Sequence, residues 1–132
     1  METIGEDYEF SDFQLKWLEA LESGEFKQGK NYLKQIVDGE PHYCCLGIGC
    51  QLLKLEEVKP ESGSDDIVAF VDSKVESNTS TAGERLMKVL KIRDAVGSMT
   101  NNSSLASMND NNVSFKDIAK FCRENPEKVF KE

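Results

Sequence analysis

The sequence is short of most features that announce a function. Its 132 residues hold one histidine (His42) and one tryptophan (Trp17), and no apolar run approaches the roughly 18 to 20 residues of a membrane span. Neither a Gly-x-x-x-x-Gly-Lys phosphate loop nor a dinucleotide fingerprint occurs, and none of the four cysteines forms a Cys-x-x-Cys knuckle. Positive charge is scarce as well. Sixteen Lys and Arg against 24 Asp and Glu give a net charge of −8, which argues against general nucleic-acid binding, because phosphate contacts need clustered cations. The start, Met1 to Asp7, is acidic where a secretory signal is basic and then apolar, so a cytoplasmic chain with reduced cysteines is expected.

What is present suits one small folded domain. The composition is 39% hydrophobic and 30% charged, enough for a single core without disulfides or a structural metal, and no cofactor is called for. The acidity is uneven: residues 1–26 hold eight acids against Lys16 alone, whereas residues 81–132 hold nine bases against seven acids.

Residues 1–10 lack periodicity and read as a flexible acidic lead-in to one domain over residues 11–132. Ser11 and Gln14 form a capping box, and Phe13, Trp17, Leu18 and Leu21 give the helix they open one apolar face, closed by Ser23-Gly24. Residues 31–37 and 41–44 flank Asp38-Gly39, a favoured hairpin turn. The second strand runs into the most distinctive stretch, His42 to Leu53, read as a buried helix over 45–54. Gly47 and Gly49 each cost such a helix about 1 kcal/mol, a sign that another backbone or a ligand comes close there. Residues 56–66 read as a polar loop, and Ile67 to Val71 as a strand paired with Lys74-Val75-Glu76. Thr81 with Glu84 opens a helix through Leu90, and 95–112 reads as irregular, with Leu105 to Met108 a brief turn. Ser114 with Asp117 caps a last helix that buries Phe115, Ile118, Ala119 and Cys122. The expected fold is α+β: about four helices on a small, mainly antiparallel sheet, with the cysteine helix between those of Trp17 and Ile118.

Four stretches occur in a telling order: Trp17 to Gln28, Tyr43 to Cys50, Leu105 to Asp110 and Ser114 to Ala119. Together they resemble a family of small tailed-bacteriophage proteins of unknown function. That family shows Trp-x-x-Ala-Leu-x-Ser-Gly, then Cys-Cys-Leu-Gly, then Leu-Asn-Asp before Ser-Phe-x-x-Ile-Ala. Met108 stands where leucine is common in the family pattern, and the acidic lead-in is a second departure. The resemblance implies a viral origin, with the host cytoplasm as the place of action, and brings no catalytic residues with it.

Three chemistries compete for the polar residues. A zinc site would draw on His42, Cys44, Cys45 and Cys50, with Cys122 from the last helix, but adjacent Cys44 and Cys45 point to different sides of a strand. A Cys45 nucleophile with His42 as base has an unfavourable spacing on extended chain and lacks an orienting third group. Reduced cysteines acting as small buried hydrophobes account for the same residues. A ligand site would use the basic helix residues Arg85, Lys88 and Arg93 with Ser98, Asn109 and Asp110, donors suited to an anionic metabolite or nucleotide. Asn109-Asp110 reads equally as a turn or cap holding the last helix. A partner surface would use Glu6, Asp7, Glu9, Asp12, Glu19, Glu22 and Glu25 against a basic host protein. The protein-binding reading stands first, the anionic-ligand reading second, and a cysteine enzyme or zinc protein third.

Overall fold

The computed structural model describes residues 8–60, 66–73, 76–99 and 103–131. Helix α1 (Asp12–Ser23) begins at the expected capping box: the Gln14 N–H donates to Ser11 Oγ at 3.1 Å, and the Ser11 N–H to Gln14 Oε1 at 2.8 Å. It stops at Gly24, whose φ of 78° is the left-handed turn that glycine enters without a Cβ penalty. Trp17, Leu18 and Leu21 are fully buried, as their spacing predicts.

After a two-residue strand β1 (Lys27–Gln28), the chain makes a tight hairpin of β2 (Lys34–Val37) and β3 (Glu40–Tyr43). Its turn residues Asp38 and Gly39 both have positive φ, 52° and 81°, as a two-residue turn matched to strand twist requires. Helix α2 (Cys45–Leu52) follows at once, then β4 (Glu56–Val58), β5 (Ile67–Ser73) and β6 (Glu76–Asn78). Among the described residues the strands lie in the order β1-β3-β2-β5-β4, with β6 also paired to β5; every pairing is antiparallel except β1 with β3.

Three expectations need correction. Glu56 to Val58 is an edge strand and not loop; two glutamates in three residues hide the pattern but suit an exposed edge, where charge discourages further pairing. Leu105–Asp110 is a helix, α4, opened by a Ser104–Ser107 capping box. Helix α3 (Glu84–Leu90) does not use Thr81; Gly83 stands at its N-cap without a side-chain cap. Two further helices, α5 (Phe115–Glu124) and α6 (Pro126–Val129), finish the fold, giving six among the described residues where about four were expected. The residues 61–65, Lys74 and Val75 of the predicted loop and strand, and 100–102, lie outside the described residues.

This is a single α+β domain with α2 at its centre. Helices α1, α3 and α4 surround α2, and α5 lies mainly across α1 and α4, so the Ile118 helix reaches the cysteine helix less directly than its sequence suggested. Two distant segments meet beside Trp17: Phe130 is 2% exposed, with its ring 6.2 Å from that of Trp17, and Tyr8 and Phe10 pack on it from ahead of α1. No helix of the described residues is long and apolar enough to cross a membrane.

Candidate functional site

The cysteine-rich stretch is built to let chain segments approach. Cys44 is the N-cap of α2, its Sγ accepting the Gly47 N–H at 3.4 Å while its own N–H donates to the Leu33 carbonyl at 3.2 Å. A Cβ on Gly47 would stand 1.7 Å from that Leu33 oxygen, and one on Gly49 would stand 2.6 Å from Leu86 Cδ1. The glycines therefore admit a backbone and a side chain of this same protein. On the opposite side the Trp17 indole N–H donates to the Cys45 carbonyl at 2.8 Å.

All four cysteines are free and buried. Burial pushes the Cys44 thiol up to about 11 and the Cys122 thiol to about 12, and it raises Cys45 and Cys50 well above the usual range. These thiols stay protonated at neutral pH, and a protonated, water-excluded thiol is a poor nucleophile. His42 is half-buried on β3 beside Gly29. Among the described residues no three His, Cys, Asp or Glu side chains converge as a metal-binding group.

The predicted ligand residues are dispersed by the fold. Asn109 is fully buried: its Oδ1 accepts from Gln28 Nε2 at 2.9 Å and from the Cys45 N–H at 3.2 Å, and its Nδ2 donates to the Gly29 carbonyl at 2.7 Å. Asp110 accepts the Asn31 N–H at 2.9 Å. The pair thus staples α4 to the 28–31 turn and to the first turn of α2, rather than holding the last helix. Arg93 donates to the carbonyls of Lys128 and Glu127 at 2.5 and 2.9 Å, so its guanidinium closes the end of α6. Arg85 and Lys88 are exposed on α3. Ser98 lines a pocket of about 370 Å³ with Val96, Met99, Ser103, Ser104 and Ser107. The Ser98 N–H donates to Asp94 at 2.9 Å, and hydrogen bonds from Ser98 hold the Asp94 carboxyl below its usual range.

Two buried polar groups escaped sequence reasoning. Asp72 occupies a bulge in β5, where Val71 opposes Ser77 and Ser73 opposes Glu76, and it is 3% exposed. Its carboxylate accepts the Arg85 N–H at 2.6 Å and the Leu86 N–H at 3.3 Å, capping α3 from another element. Gln14, fully buried, donates to the Leu90 carbonyl at 2.9 Å and ties α1 to the end of α3. The capping box is visible in sequence; this second duty of Gln14 is not.

The predicted partner residues divide differently. Asp12 and Glu19 are exposed on α1 with Lys16 between them, and Glu9 and Glu25 are exposed before and after the helix. None of these four carboxylates is ion-paired among the described residues. Glu22 is the exception, binding Arg123 through two contacts of 2.6 and 2.9 Å that bridge α1 to α5. Glu6 and Asp7 lie outside the described residues.

Residues 11–126 match the domain of unknown function DUF8296, from the cap of α1 to the first residue of α6. The chain belongs to that family. Within the DUF8296 match fall the α1 capping box, the cysteine helix and the Asn109 clamp. No curated protein and no solved structure matches the chain.

Proposed function

We propose that this DUF8296 protein is a non-enzymatic accessory protein of a tailed bacteriophage. It binds a host protein in the host cytoplasm through its acidic surface, and so serves host takeover or counters a host defence. One observation carries this reading: the buried Gln14, Asp72 and Asn109 and the four buried thiols serve the fold, whereas Glu9, Asp12, Glu19 and Glu25 are exposed carboxylates without ion-pair partners among the described residues. Such a face favours a basic partner by steering encounter and selecting charge. The motif order, which resembles the phage family, supports the viral setting.

The test is affinity capture from a lysate of host bacteria with the full chain. The expected result is one stoichiometric partner whose retention falls as salt rises, and which a Glu9→Lys/Glu19→Lys variant of unchanged melting temperature fails to retain. No specific partner at low salt contradicts the reading.

The anionic-ligand reading keeps only the 370 Å³ pocket and the exposed Arg85 and Lys88 in its favour. Arg85→Ala and Lys88→Ala leaving nucleotide binding unchanged would remove that site.

A further inference from the structure

Where α1 ends, the acidic face turns a corner into a groove. Glu25 and Phe26 lead out of the helix, Lys27 opens β1, and Glu40, Pro41 and Tyr43 belong to the adjoining β3; these six residues line about 250 Å³. That is below the roughly 300 to 1,000 Å³ of sites that enclose whole small molecules. It suits one long side chain. The floor is aromatic and firmly set: the Phe26 ring meets Tyr43 edge-on, with centroids 5.3 Å apart and planes at 88°, and Tyr43 is 6% exposed.

The electrostatics of the groove select a cation. Helix α1 has no basic residue of its own in its last turn, where Arg123 of α5 reaches Glu22, and the negative end of this twelve-residue helix adds to the charge of Glu25. Glu25 has no ion-pair partner among the described residues. Glu40 is bridged by Lys27, whose ammonium holds the Glu40 carboxyl below its usual range, but the two side chains are 54% and 55% exposed. So exposed a bridge is weak and exchangeable. Tyr43 already takes one cation of this chain, Lys34 Nζ at 5.5 Å from the ring centroid. Half-buried Phe26 carries no cation among the described residues, and an aromatic ring favours a planar guanidinium over a compact ammonium.

We infer that this groove seats an arginine side chain of a basic partner protein, stacked along Phe26 with its guanidinium between Glu25 and Glu40. The inference rests on the acidic-surface reading above and names the contact at its centre.

The test is nitrogen–proton NMR of the full chain titrated with a capped Gly-Arg-Gly peptide, and in parallel with its lysine and citrulline counterparts. Saturating shifts at Glu25, Phe26, Lys27, Glu40 and Tyr43 are expected with the arginine peptide. Binding should be several-fold weaker with lysine, absent with citrulline, and weakened several-fold by Glu25→Gln. Shifts confined to Glu9, Asp12 and Glu19 would overturn the groove while leaving the acidic-face reading intact. Equal shifts from the citrulline peptide would also overturn it, and so would a silent groove in a protein that still captures its partner from lysate. Failure of both the titration and the capture would take down the two readings together.

Discussion

Asn109 and Glu19 are both polar residues on the helices of one small domain, yet the fold treats them in opposite ways. Asn109 has no exposed surface and is hydrogen-bonded to Gln28, Gly29 and Cys45, three groups brought in from distant parts of the chain. Glu19 is exposed on α1 with no ion pair among the described residues. The same contrast separates the cysteine helix, where thiols and glycines serve packing, from the outer side of α1, where Asp12 and Glu19 have no ion pair among the described residues. Interior chemistry that looks reactive in sequence is structural here, and the carboxylates left without ion pairs among the described residues lie on the surface.

The sharpest way to break that contrast is Gly47→Ala. The new methyl group would meet the Leu33 carbonyl 1.7 Å away, and backbone cannot step aside as a side chain does. A loss at the upper end of overpacking costs, about 3 kcal/mol or more, is expected in urea denaturation. Gly49→Ala meets only the tip of Leu86, and a gain of about 1 kcal/mol in helix propensity offsets it, so near-wild-type stability is expected. Equal effects of the two would refute the close approach of Leu33.

Asn109→Ala comes next. It leaves the Cys45 N–H and the Gly29 carbonyl buried without partners, and about 2 to 3 kcal/mol of stability should be lost. A change below about 0.5 kcal/mol would mean the clamp is not what holds α4 to α2.

The buried thiols give a pH signature with a definite sign. An unfolded cysteine ionises near its ordinary value of 9, whereas native Cys44 keeps its proton to about 11. Native protein therefore binds more protons than unfolded protein between those values. Stability contributed by burial of the neutral thiol is complete below pH 9 and falls as pH rises, by at most about 1.4 kcal/mol per pH unit for each thiol. Melting curves from pH 7 to 10.5 should show that decline, shallower in Cys44→Ser, which keeps an N-cap acceptor. An identical alkaline decline in wild type and variant would contradict the burial assigned to Cys44.

The smallest stability effect belongs to the acidic face. Glu9→Lys with Glu19→Lys should change unfolding free energy by no more than about 0.5 kcal/mol, because neither residue closes a contact in the interior. A large loss would move those carboxylates to the structural side of the comparison.

Elements defined by neighbours in sequence were legible in it. The α1 capping box, the Asp38-Gly39 hairpin and the strain-relieving role of Gly47 all depend on residues within one element or on a glycine whose helix cost advertises a close approach. What stayed hidden depends on partners far along the chain. Asp72 caps a helix that starts 12 residues after it, from a bulge without a sequence signal, and Asn109 reaches Gln28 across 81 residues. Strand β4 was masked because an exposed edge needs no alternating apolar pattern. The acidic residues were easy to find, but only the fold shows that Glu22 is ion-paired with Arg123 while Glu19 acts on that guanidinium without a close contact. The groove at Glu25 and Glu40 joins a helix end to the start of a strand, a meeting that no spacing reveals.

Hydrogen–deuterium exchange on the complex with the proposed host protein tests the division of interior and surface most directly. Binding through the acidic face predicts new protection in α1 and at residues 25–28 and 40–43, with the amides of residues 96–107 unchanged. Protection confined to residues 96–107, with α1 exchanging as in the free protein, would contradict the account.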